Sequence, residues 1–184
     1  MPSRPALFLD RDGVINVDRA YVHRLEDFEF IDGIFDLCRQ AKLRDYLIFV
    51  VTNQAGIARG YYSEADFLCL TQWMCSQFVA AGAAIDKVYF CPFHAEYGLG
   101  KYKVDSPLRK PNPGMILQAA REYDVDLAGS VLVGDMDTDI EAGLAAGVGL
   151  NLLFRPGNDS RLTGGSAGQI DRLTDVCAYL KRGC

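Results

Sequence analysis

The stretch that most constrains this chain is Leu7 to Asn16, LFLDRDGVIN, where a short apolar run ends in two aspartates flanking an arginine and then turns on Gly13. An apolar run ahead of glycine reads as a buried strand entering a turn, which sets Asp10 and Asp12 at the strand's carboxyl end. In open α/β sheets, ligands bind at that edge. Two carboxylates so placed suit a hard divalent cation and a division of labour, one attacking and the other moving a proton.

The pattern returns further along. Tyr46–Val51 is almost wholly apolar, as expected of a central parallel strand, and it runs into Thr52, Asn53, Gln54, Ala55 and Gly56. Ser130–Val133 reads as a further strand and runs into Gly134, Asp135, Met136, Asp137, Thr138 and Asp139. Helical stripes occupy 33–43, 114–123 and 140–147, and a long one opens on Ser63 with Asp66 as a capping box and continues through Val79. Strands are expected at 86–91 and 149–154, a loose Gly- and Ser-rich loop at 157–168, and a final amphipathic helix over Ile170–Arg182. Strand alternating with helix argues an α/β, Rossmann-like fold: a mainly parallel sheet of five or more strands with helices on both faces. The whole of 1–184 is expected to form one domain. Trp73 is expected to serve as helix-face core. Two segments fit no period. Val17–Phe30 reads as a flap beside the site. Pro92–Pro113 is long for a loop in a compact domain and carries Arg109 and Lys110 ahead of Pro111, on what should be a stiff extended segment.

Right-handed crossovers bring the carboxyl ends of the strands to one edge, so Asp10, Asp12, Thr52, Asn53, Asp135 and Asp139 should gather there, with Arg109 and Lys110 reaching in. Acids alone would repel one another and any anion. Mg²⁺ resolves the repulsion, since it takes carboxylate and phosphate oxygens and keeps several waters. Phosphoryl transfer then needs a nucleophile, a proton carrier for the leaving oxygen and donors for the equatorial oxygens; Asp10, Asp12, and Thr52 with Lys110 fill those roles in that order. With 24 acidic against 19 basic residues, a net charge of −5 and no Lys/Arg-rich run, a nucleic-acid partner is not expected. The N-terminus has no apolar signal core, and no run approaches the roughly 20 residues that span a bilayer, so a soluble cytoplasmic chain, by default a monomer, is expected. Cys38, Cys69, Cys75, Cys91, Cys177 and Cys184 show no paired spacing and read as small hydrophobes rather than disulfides.

LFLDRDGVIN at 7–16, VVTNQ at 50–54, RKP at 109–111 and VGDMDTD at 133–139 resemble, in order, the four motifs of the haloacid dehalogenase (HAD) superfamily of phosphatases. The resemblance implies an aspartyl-phosphate mechanism: Asp10 attacks phosphorus, Asp12 protonates the leaving alcohol and then activates water, and Mg²⁺ rests on Asp10, the Asp12 carbonyl and Asp135. Thr52 and Lys110 would hold phosphoryl oxygens, and Asp139 would orient the metal shell or Lys110. NVDRAYVHRLEDFEFIDG at 16–33, TNQAGIARGYYSEADF at 52–67 and RKPNPGM at 109–115 are similar to the cap-less branch of heptose 1,7-bisphosphate 7-phosphatases, which serves nucleotide-activated heptose and lipopolysaccharide synthesis and whose subfamily includes histidinol-phosphate phosphatase. Both phosphatase readings stay open here, beside a non-catalytic phosphosugar-binding protein. In the heptose branch, the implied substrate contacts are Asp18, Arg19, Ala20 and Tyr21 on the flap, Asn53, Gln54 and Ala55 after the second strand, and Arg109, whose planar bidentate donor suits a second phosphate or a diol.

The chain departs from that resemblance twice. Many members hold a structural zinc in the long loop through a Cys-x-His and a Cys-x-Cys. Here the corresponding positions are Cys91, Phe93, Ser106 and Leu108, so one ligand of four remains and zinc is not expected. The loop would then be held by Tyr97, Tyr102 and the prolines, or be mobile. The second departure is Met136, where these phosphatases often place a lysine.

Overall fold

The computed structural model describes residues 3–158, 161–164 and 166–181. Its centre is β1 (Arg4–Leu9), in which Leu7 and Leu9 face one side of a sheet and Ala6 and Phe8 the other, all four fully buried. A strand buried on both faces needs apolar residues at successive positions, which is why this stretch is a run and not an alternation. β2 (Leu47–Asn53) and β4 (Val125–Gly134) flank β1 in parallel, with β3 (Lys87–Cys91) outside β2 and β5 (Leu150–Phe154) outside β4. β6 (Arg161–Gly164) and β7 (Ala167–Ile170) complete a seven-stranded sheet of order β3-β2-β1-β4-β5-β7-β6, parallel except at the β6 edge.

Helices α1 (Ile34–Leu43) and α3 (Glu64–Ala80) cover one face together with a short 3₁₀ helix at Leu173–Ala178. The one-turn α2 (Ala55–Ala58) follows β2, and α4 (Gly114–Tyr123) with α5 (Asp137–Ala146) covers the opposite face. Ser63 and Asp66 form the expected capping box. Between β1 and α1 the chain runs through the flap, not an inserted cap domain. Phe28 and Phe30 pin the flap's far end against Trp73 of α3, with ring centroids 5.5 and 5.6 Å away, and the half-buried tryptophan packs against the core from the helix face. No described helix is long and apolar enough to cross a membrane. The five described cysteines are free thiols; Cys38 and Cys91 are buried and Cys69 is exposed, while Cys184 lies outside the described residues.

Four expectations are corrected. β4 begins at Val125, not Ser130, because Arg4 and Pro5 pair with Val125 and Asp126; that first half is partly exposed and carries no apolar run to betray it. Within the expected loop at 157–168 lie β6 and the start of β7, which pair antiparallel. The expected helix over 170–182 is replaced by the end of β7 and the 3₁₀ helix. Ile170, Leu173 and Val176 recur every third residue, the 3₁₀ period, and all three are buried; residue 182 lies outside the described residues. Arg109 and Lys110 sit in turns rather than on an extended segment: the Arg109 amide donates to Ser106 O and the Asn112 amide to Arg109 O, and the Lys110–Pro111 peptide is cis.

Candidate active site

The carboxyl ends of β1, β2 and β4 meet where the sequence placed its acids. Asp10 directly follows β1, and its amide donates to the Val133 carbonyl of β4 at 3.0 Å, holding the two strand ends in register. Into this edge the loop before α4 inserts Lys110, which is 4% exposed. Its ammonium has three donors and three protein acceptors: Asp10 Oδ1 at 2.9 Å, the Val51 carbonyl at 2.7 Å and Asp139 Oδ1 at 2.6 Å. Asn53, at the end of β2, fixes the lysine's backbone from both sides, its Nδ2 donating to Lys110 O and its Oδ1 accepting from Lys110 N, each at 3.1 Å.

Asp139 is buried in the first turn of α5. Its Oδ1 meets Lys110 and its Oδ2 accepts the Met136 amide at 3.0 Å, capping the helix. Both oxygens are thus engaged within the protein, which fits an orienting role. Asp135 differs: Oδ1 is buried with no hydrogen-bond partner among the described residues, while Arg155 donates to the Asp135 carbonyl and anchors its backbone. Ligand oxygens of Asp10, Asp135 and Asp139 lie within 4.8 Å of one another. An orphaned carboxylate oxygen amid hard oxygen donors fits Mg²⁺ in the donor chemistry that cation prefers. Gly13, with φ of +86°, keeps this cluster open, because a Cβ there would strike the Asp135 carboxylate.

Crowding carboxylates in a buried site raises their affinity for protons. Burial pushes Asp10 up to about 8, against the pull of Lys110 and with help from Asp139. Asp135 rises to about 6, from burial first and then Asp139. Burial alone would lower Lys110, but the facing carboxylates of Asp10 and Asp139 outweigh it and push the ammonium's pKa up.

Asp12 lies beyond the strand, and its carboxylate is held from three sides. Arg11 grips it with Nη2 at 2.9 Å from both oxygens and Nε at 3.2 Å from Oδ2; Asn16 Nδ2 donates to Oδ1 at 3.1 Å and Gln54 Nε2 to Oδ2 at 3.1 Å. Arg11 is itself buried, bonded to the Val22 carbonyl at 2.6 Å, with its guanidinium 5.5 Å from the Phe67 ring centre. Thr52 is buried beside this network and accepts from Gln54 Nε2 at 2.8 Å.

The expected substrate contacts divide into two groups. Asp18, Arg19, Ala20 and Tyr21 form the exposed tip of the flap, where Ala20 and Tyr21 both take positive φ and Asp18 accepts the Ala20 amide at 2.9 Å. Asn53 and Gln54, by contrast, spend their side chains inside the protein, on Lys110 and Asp12. Ala55 opens α2, and half-buried Arg109 donates to the Phe93 carbonyl at 3.4 Å. The long loop is tied down by Tyr102, whose hydroxyl donates to Glu64 Oε1 at 2.6 Å, by Tyr97 under Arg59 with the guanidinium 4.1 Å from the ring centre, and by buried Ser106, whose hydroxyl accepts the Leu108 amide at 3.2 Å. Pattern reading missed Arg11, Asn16, Tyr62, Arg155 and the Val51 carbonyl. Arg11 and Asn16 lie inside the opening stretch, but nothing in spacing shows where a hydrogen bond goes.

Comparison with known proteins extends this picture. The HAD-hydrolase-like family model matches residues 107–177. A D-glycero-alpha-D-manno-heptose-1,7-bisphosphate 7-phosphatase of Burkholderia mallei is 55% identical over 175 residues, covering 95% of this chain and 93% of that one. A D-glycero-beta-D-manno-heptose-1,7-bisphosphate 7-phosphatase of Vibrio cholerae is 47% identical, covering 98% of each. Among solved structures, a D,D-heptose 1,7-bisphosphate phosphatase from B. bronchiseptica, complexed with magnesium and phosphate, superposes with a TM-score of 0.81 at 31% identity, covering 96% of this chain and 97% of that one.

Proposed function

Since this chain belongs to the heptose-1,7-bisphosphate 7-phosphatase family of HAD-like hydrolases, and so to the phosphoric monoester hydrolases, we propose that it removes the 7-phosphate of D-glycero-D-manno-heptose 1,7-bisphosphate through an aspartyl phosphate, an acyl phosphate on Asp10, on the way to nucleotide-activated heptose for lipopolysaccharide. The observation that carries this reading is the buried Asp10–Lys110–Asp139 contact beside the unpartnered oxygen of Asp135. Asp10 attacks phosphorus as the bond to the sugar oxygen breaks, and Asp12 delivers the proton that oxygen needs. Asp12 then takes a proton from water, which attacks the phosphorylated Asp10 and releases phosphate. Thr52 holds one equatorial oxygen and Lys110 another, by turning to it the N–H that faces Asp10 before the attack, while Asp139 keeps hold of Lys110. Mg²⁺, held when bound by Asp10, Asp135 and the Asp12 carbonyl, neutralises charge that the acids alone would repel.

With Met136 carrying no charge, recognition of the sugar falls to the flap residues 18–21 and to Arg109. On this reading the chain works as one domain, a monomer in the cytoplasm, with the small flap in place of a cap. The test is Mg²⁺-dependent phosphate release from the α and β anomers of the bisphosphate, side by side with histidinol phosphate. Turnover of a heptose bisphosphate, abolished by Asp10→Asn in a folded variant, is expected. Preference for histidinol phosphate, or activity surviving in Asp10→Asn, overturns the assignment.

A further inference from the structure

We infer that Tyr62 is a positioning residue for Asp12, acting through the side-chain amide of Gln54; this rests on the roles proposed above for Asp10 and Asp12. Tyr62 lies in the turn between α2 and α3, and its ring is 7% exposed. The hydroxyl donates to Gln54 Oε1 at 2.6 Å. A tyrosine hydroxyl can accept as well as donate, so the acceptor-only Asp12 carboxylate sets which way round the amide lies; Tyr62 then anchors the amide oxygen in place, with the two N–H groups facing Thr52 Oγ1 at 2.8 Å and Asp12 Oδ2 at 3.1 Å. Turned the other way, Gln54 would aim its oxygen at the Asp12 carboxylate, lone pair against lone pair. Gln54 is 1% exposed, so water has little access to mend a misplaced amide. Burial pushes the Tyr62 phenol up to about 12, so it keeps the proton it donates.

The ring is seated closely. A Cβ on Gly56 would run into the Tyr62 ring, so only glycine lets the phenol lie against the start of α2. On the ring's flap side His23 stacks nearly parallel, with centroids 4.8 Å apart and planes at 9°, and Tyr21 meets the neighbouring Tyr61 edge-on at 4.8 Å. Arg11 and Asn16 hold Asp12 from within its own loop, whereas Gln54 is the contact that ties its carboxylate to β2. Flap, tyrosine, amide and proton carrier thus form one line of contacts.

A group that positions the proton carrier, and not the nucleophile, reveals itself by which leaving groups it serves. An alkoxide needs a proton as its bond to phosphorus breaks; a stabilised phenolate does not. The experiment compares kcat/KM, which ends at phosphoryl transfer, for an alkyl phosphate that the wild type turns over and for p-nitrophenyl phosphate. Tyr62→Phe is expected to lose about tenfold on the alkyl ester and at most about twofold on the aryl ester, with the melting temperature lowered by only a few degrees as the Gln54 oxygen loses its donor. Gly56→Ala, which displaces the ring, should show the same leaving-group split. In a Gln54→Ala background Tyr62→Phe should add nothing further. Equal losses on both esters, no loss on either, or full additivity with Gln54→Ala overturns the inference. A wild type that hydrolyses other alkyl phosphates but not the heptose bisphosphates would sink the substrate assignment and leave this comparison readable.

Discussion

Replacing Lys110 by methionine keeps much of the side-chain volume but deletes the one cation between two buried carboxylates. The ammonium serves Asp10, Asp139 and the Val51 carbonyl, and nothing else among the described residues is placed to take over all three. Left alone, Asp10 and Asp139 have ligand oxygens within 4.8 Å of one another, a repulsion of about 3 kcal/mol at an effective dielectric of ~20. Removing one partner of a buried ion pair costs roughly 3–5 kcal/mol by experience, which agrees in size. The variant escapes that repulsion by keeping a proton on Asp10, which burial already holds in the wild type up to about pH 8 and which the missing ammonium no longer opposes. Above that pH the variant's folded state retains a proton that the wild type's releases, so the sign is fixed: the variant's deficit is steady below about pH 8 and grows above it, by up to about 1.4 kcal/mol per unit. Urea denaturation in EDTA at about pH 7 and about pH 9, wild type beside variant, measures it. A loss below about 1 kcal/mol at pH 7, or one no larger at about pH 9, would refute the argument that Lys110 neutralises this edge.

The metal-free wild type has a pH dependence of its own at lower pH. Asp10 at about 8 and Asp135 at about 6 both lie above their value of 3.8 outside the fold, so the folded state holds protons that the unfolded chain releases. Stability should fall as pH climbs from ~4 to ~8, by up to about 1.4 kcal/mol per unit for each group the fold keeps protonated, and Mg²⁺ should restore it increasingly at the alkaline end. Glu122 works in the other direction, but Lys87 and Tyr89 hold it down to about 2, so its contribution is lost only below this window. Melting temperatures in EDTA and in Mg²⁺ across the range check this, and an EDTA value that rises from pH 5 to 8 contradicts it. Gly13→Ala should weaken Mg²⁺ binding, seen calorimetrically, and cost about 1–2 kcal/mol of stability, because its φ of +86° strains any Cβ and that Cβ would strike Asp135; unchanged affinity would show that Asp135 is not a ligand.

What the sequence disclosed follows from which forces are periodic. Leu7–Leu9, Tyr46–Val51 and Ser130–Val133 are apolar because burial on both faces demands it, and each hands its next residues to the same edge, so Asp10, Thr52 and Asp135 could be placed together before any coordinates were in view. The start of β4 at Val125 escaped notice because it is held by backbone pairing to Arg4 and Pro5, which leaves no mark on side-chain type. The antiparallel pairing of β6 with β7 escaped for a related reason, since glycine-rich strands resemble loops. Directional bonds were the least legible. Gln54 looked like a residue facing substrate, and only the positions of Tyr62, Thr52 and Asp12 around it show that its amide is already engaged. Asn53 was hidden in the same way by Lys110, 57 residues downstream.

The shared ammonium of Lys110 also bears on how the chain folds. Its partners Asp10 and Val51 lie 100 and 59 residues away in sequence, and Asp10 is itself held to Val133 of β4. Contacts that close such long loops cost chain entropy before they return anything. On the roles proposed above, the groups of the site come together only with the long-range pairing of the sheet, so a chain lacking that pairing carries no assembled site.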